Sequence, residues 1–111
     1  MDFPVLRPDQ FMVMFPSFAL MSADCRGGVV QHFDRGIAVV IFTDEANLDD
    51  YREKQGLLGP LIRFDSAPQL CMYFDSLPQN VTLVVFDPSA GKPKVFLLAD
   101  VMSKILESGD D

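Results

Sequence analysis

The chain is poor in the residues that most often carry chemistry: it has one histidine, two cysteines, and nine Lys and Arg against sixteen Asp and Glu. Cys25, in a glycine-flanked loop, and Cys71, in an apolar run, are too isolated for a disulfide framework and read as free thiols of a reducing compartment. Two cysteines and one histidine also lack the fourth ligand and the paired spacing of a structural zinc site. The shortage of basic residues leaves a net charge of −7, which repels nucleic-acid phosphates and anionic membrane surfaces. No long hydrophobic run is present. "MDFPVLRPDQ" has no basic leader region, and "FMVMFPSFALM" is broken by Pro16 and Ser17 and is too short to span a bilayer. These absences predict a cytoplasmic protein that engages neither nucleic acid nor membrane.

Motifs are missing too. "SAGK" at 89–92 suggests a phosphate loop, but the first glycine of that pattern would fall on Phe86 or Asp87, and Pro93 follows Lys92. It reads as a turn, as "RGG" at 26–28 reads as a loop start. No calcium-loop pattern, internal repeat, low-complexity segment or linker is visible. We therefore expect no cofactor, no metal and no catalytic residue.

What is present is apolar. Hydrophobic residues make up 49% of 111 residues, enough for one core without disulfides or metal and too few for a second domain. The pattern predicts strands over 11–15, 29–33, 37–42, 61–64, 81–86 and 95–98. The run 37–42 suits a central strand covered on both faces, and Gly36 supplies the positive φ of a three-residue hairpin loop before it.

Three helices complete the pattern. Thr43 is placed to cap the first, with Asp44 and Glu45 in its first turn; Leu48, Tyr51 and Gln55 form its inward stripe, and Asp50 pairs with Lys54. Ser66 and Gln69 have capping-box spacing ahead of Ala67, Leu70, Cys71 and Phe74. A last helix from 100 to 107 carries Val101, Met102, Ile105 and Leu106 on one face and stops near Gly109. The expectation is one α/β (α+β) domain, a mixed sheet of about five or six strands packed by three helices.

Candidate sites are surfaces. Glu45, Asp49 and Glu53 recur every four residues as an outward acidic ridge, either a solvated helix face or a docking surface for a basic partner. Ten Phe and six Met exceed what a small core easily buries, and Met12, Met14, Met72 and Tyr73 are the candidates for a partner or homodimer interface. His32 beside either cysteine would make a nucleophile and base, but nothing in the spacing brings them together. Thr43, Asp44 and Asp87 follow apolar strands, where open sheets place small ligands.

The stretches "GIAVVIFTDEANLDDYREKQG" and "VTLVVFDPSAG", separated by a second helix, resemble the N-terminal domain of the SseB (enhanced serine sensitivity) family across residues 28–107. The family pairs an "lPvFTs" strand-to-helix junction with a later "NP" turn. Here the junction is Ile41, Phe42, Thr43 and Asp44, and the turn is Asp87 and Pro88; Val40 and Ile41 stand where a proline is common, and Asp87 where asparagine is usual. The resemblance implies a small α/β accessory or interaction module and carries over no functional residue.

The leading functional expectation is thus a non-enzymatic interaction or regulatory module using the Met and Tyr surface and the acidic helix. The alternatives are a small-molecule-binding or weakly catalytic domain near Thr43 and Asp87, and an acidic immunity-type inhibitor of a basic toxin.

Overall fold

The computed structural model describes residues 5–6, 15–21, 29–33, 35–88 and 94–108. The elements follow in the order β1 (Val5–Leu6), β2 (Ser17–Leu20), β3 (Val30–Phe33), β4 (Gly36–Phe42), α1 (Glu45–Gln55), β5 (Leu61–Phe64), α2 (Ala67–Asp75), β6 (Val81–Phe86), β7 (Lys94–Leu97) and α3 (Leu98–Ser108). The strands make one mixed sheet in the order β1-β7-β6-β4-β2-β5, with β3 also paired to β4.

The apolar run predicted to be central is central. β4 is parallel to β6 on one side. On the other it is shared: β2 pairs Phe18 with Phe42, and β3 pairs Val30 with Val39 and His32 with Ile37, both antiparallel. β2 and β3 therefore lie end to end along one edge of β4. Alternation along β4 sends Val39 and Ile41 into a core with α2 and α3, and Ala38, Val40 and Phe42 into a second core with Leu48 and Tyr51 of α1. Helices thus cover both faces, as a strand apolar on both sides requires.

One irregularity reorients the start of β6. Ile37 pairs with Val81 but Ala38 pairs with Leu83, so Thr82 is the extra residue of a bulge. Without it Val81 would share a face with Leu83 and Val85; with it Val81 joins Val84 and Phe86 toward α2 and α3. Thr82 also crowds Gly36: a Cβ there would lie 2.7 Å from Thr82 Oγ1, and Gly36 has φ +151°. Glycine suits both conditions. It begins β4 directly opposite Phe33, so the connection is two residues rather than the three expected.

Several expectations need correction. Strand 11–15, with Met12 and Met14, lies mostly outside the described residues; the strands the pattern missed are the two-residue β1 and β2, which starts immediately after Pro16. A proline at a strand boundary closes or opens it equally well, since only its own N–H is lost. The cap of α1 is Asp44 and not Thr43: Asp44 Oδ1 accepts from Ala46 N at 2.7 Å and Asn47 N at 3.2 Å. Gln55 is exposed, and the C-terminus closes on Gly56 in the left-handed region at φ 64°. Ser66 sits at the cap of α2 without a side-chain capping bond, while Gln69 Oε1 reaches back to accept from Asp65 N at 2.6 Å. In α3, Val101 and Ile105 are buried but Leu106 is 62% exposed.

Candidate functional site

Three places merit a chemical reading, beginning with the acidic ridge. Leu48 and Tyr51 are the buried residues of α1, and Glu45, Asp49 and Glu53 are all exposed on its outer side. The predicted Asp50–Lys54 pair is present at 3.1 Å, with both side chains about half exposed. No group of three His, Cys, Asp or Glu able to hold a metal occurs among the described residues.

The carboxyl ends of the parallel strands β4 and β6 are the expected ligand position. Asp87 occupies it and is already engaged. Its Oδ1 accepts from Thr43 N at 2.9 Å, its Oδ2 from Thr43 Oγ1 at 2.6 Å, and its own N–H donates to Ile41 O at 3.0 Å. Asp87 also has φ +50°, a conformation Asp tolerates better than most residues. This arrangement ties two strand ends together, with each carboxylate oxygen accepting one hydrogen bond from Thr43.

The third place lies at the opposite end of the same strands. A cavity of about 620 Å³ opens beneath the C-terminal end of α2, over Val30 of β3, Ile37 of β4 and Val81 of β6. The bulge at Thr82 is what turns Val81 into it. Ile62 and Met21 form one side; Tyr73 and Leu77 overhang it. These apolar walls are buried or half-buried, whereas His32, Ser76 and Asn80 are exposed and make its rim.

Of the interface candidates, Met72 points outward with 73% of its surface exposed. Tyr73 does not: it is half-buried, its ring 5.1 Å from Phe64 and 6.1 Å from Phe74, centroid to centroid. Adjacent helical positions are about 100° apart, so one faces solvent while the next turns under the helix. His32 and Cys71 do not make a dyad. His32 is exposed on the cavity rim, while Cys71 is buried in the core beneath α2, where burial, with Asp75 adding to it, pushes the thiol up. Cys25 lies outside the described residues.

The Tyr73 hydroxyl is enclosed and has no hydrogen-bond partner among the described residues. Burial pushes it up to about 12, so it stays a neutral donor. An unpartnered buried hydroxyl costs about 1–3 kcal/mol. Tyr73→Phe is therefore expected to raise stability by about 1 kcal/mol, read as a shift of the urea midpoint with unchanged slope. The alkaline limb should change as well. Folding favours the protonated phenol, so its contribution is complete below pH 10 and is lost as pH rises toward about 12. The variant should lose part of that decline; identical pH profiles would show that the hydroxyl is hydrated.

No protein-family model and no curated protein matches this chain. Its reading therefore rests on the geometry. Sequence reasoning missed the cavity because two of its causes, the bulge and the end-to-end placement of β2 and β3, are matters of register. The available signal was the polar Thr82 inside an otherwise apolar strand. Among the described residues, no helix is long and apolar enough to cross a membrane.

Proposed function

We propose that the chain is a non-enzymatic binding domain, of regulatory or accessory type, whose recognition site is the cavity beneath the end of α2. The observation that carries this reading is the cavity itself, with its apolar walls and exposed polar rim. Its volume of about 620 Å³ falls within the roughly 300–1,000 Å³ typical of small-molecule sites. The ligand-binding alternative thus moves from Thr43 and Asp87 to the other end of the sheet, because neither residue lines the cavity and the Asp87 carboxylate already holds Thr43. The SseB resemblance belongs to the same proposal and supplies no residue roles.

The test is binding of 1-anilinonaphthalene-8-sulfonate, followed by its own fluorescence. The native domain is expected to bind it saturably at one site. Val30→Trp, which fills the cavity from its floor, should abolish that signal while cooperative unfolding is retained; Ile62→Phe provides a milder filling. Undiminished saturable binding in both folded variants would remove the cavity as the site.

A second reading is a protein partner with a basic face docked on α1, which includes the immunity-type inhibitor as a special case. It is supported by three exposed carboxylates, Glu45, Asp49 and Glu53, on the side of α1 away from the core. Changing all three to Lys should release a stoichiometric partner captured from native lysate. If the captured material is unchanged, the ridge is a solvated face. Homodimerisation through Met72 would appear as a concentration-dependent mass that Met72→Lys abolishes.

A further inference from the structure

We infer that the ligand of this cavity is a small amphipathic anion, an apolar body carrying one carboxylate, with the body under Tyr73 and Leu77 and the carboxylate at the His32 and Asn80 rim. The inference rests on the cavity being a binding site, and adds its chemistry.

Polarity is segregated by depth. Val81 is buried and Val30, Ile37, Ile62 and Leu77 are half-buried, so the interior offers dispersion contacts and no charge. The exposed rim is different: the His32 imidazole and the Asn80 amide each bring N–H donors. An apolar pocket with a few convergent polar groups orients a ligand that is itself apolar at one end and polar at the other.

The sign of the polar end follows from what is missing there. The chain carries sixteen Asp and Glu, yet none lines this cavity among the described residues, and its ionisable lining groups are His32 and the phenol of Tyr73. A bound amine would meet no carboxylate among the described residues. A bound carboxylate would meet N–H donors, and hydrogen bonds to an ionised partner are about twice as strong as neutral ones. The net charge of −7 opposes this from a distance, but fields beyond about 10 Å are largely screened at 0.1 M salt, so the near donors decide. The enclosed Tyr73 hydroxyl is a further neutral donor beside the interior, reachable by a ligand only if the ring shifts.

The probes are octanoate, octanol and octylamine, which share a body and differ in head group. Each is titrated into the full chain while the ring resonances of His32 and Tyr73 are followed by NMR. Octanoate is expected to shift both rings saturably and to bind about tenfold more tightly than octylamine, the effect of one charge-assisted contact. His32→Leu should bring octanoate and octylamine together while leaving octanol unchanged, which reports that the apolar site is intact. Equal affinities for the three probes in the native chain would overturn the carboxylate assignment and leave the cavity standing as an apolar site. Tighter octylamine would overturn it as well. Absence of any saturable shift would overturn both readings.

Discussion

Replacing Phe42 by alanine is expected to lower stability by about 3–5 kcal/mol, a large fraction of the roughly 5–15 kcal/mol that folded domains hold. Phe42 is the last residue of β4 and is fully buried. Its ring lies 5.4 Å from that of Tyr51, and the same cluster holds Phe18, Leu48 and Val85. Truncation removes both the transfer free energy of the ring and the contacts of its neighbours. The sheet side of the resulting hole cannot collapse, because β4 is fixed by strands on both edges. The helix side is the weaker one: Leu48 and Tyr51 are the two buried residues that hold α1. Amide exchange should therefore show α1 losing protection before the sheet does. Met72→Ala is the contrast, since a side chain 73% exposed should change stability by no more than about 0.5 kcal/mol. Similar losses for the two variants, measured by urea unfolding, would refute the assignment of Phe42 to the core.

The comparison between Phe42 and Met72 also shows what periodicity reads well. The central strands, β4 and β6, and the inward Leu48, Tyr51, Leu70, Cys71 and Phe74 follow directly from apolar spacing, and all five of these helix residues are buried. Surplus methionine does lie at the surface at Met72, but Tyr73 beside it goes under the helix against Phe64. Spacing places a residue on a face; it does not give the width of the apolar stripe, which depends on what lies below. Leu106 fails the opposite way, being apolar and 62% exposed although Ile105 beside it is fully buried, because adjacent helical positions are about 100° apart. The binding site is least legible. A bulge leaves no apolar signature beyond one polar residue, yet it reverses the facing of Val81 and with it the wall of the cavity. Asp44 and Thr43 show the same limit at a helix start. Both residue types cap well, and the choice falls to Asp44 because the Thr43 hydroxyl is drawn to Asp87.

That contact yields the second large effect. Asp87→Ala is expected to cost about 2–3 kcal/mol, from two lost hydrogen bonds and from a methyl side chain held at positive φ. The two contributions separate by substitution. Glycine accepts the left-handed backbone without strain, so Asp87→Gly should recover about 1 kcal/mol of the alanine loss although it bonds to nothing. Asparagine tolerates the backbone and keeps one carbonyl acceptor for two donors, so Asp87→Asn should be the mildest at about 1 kcal/mol. Thr43→Val leaves the backbone N–H and removes only the hydroxyl bond. Combined with Asp87→Ala it should cost less than the sum of the two, since the same bond cannot be lost twice. Full additivity would mean that the 2.6 Å contact contributes nothing to folding. The series also discriminates between the two ends of the sheet. Asp87 lies beyond the carboxyl ends of β4 and β6, while Ile37 and Val81 of the cavity lie at the amino ends of those strands. If the carboxylate is purely a tie between strands, Asp87→Asn loses stability and binds octanoate as the native chain does. A variant that kept its stability and lost its ligand would return the site to Thr43 and Asp87.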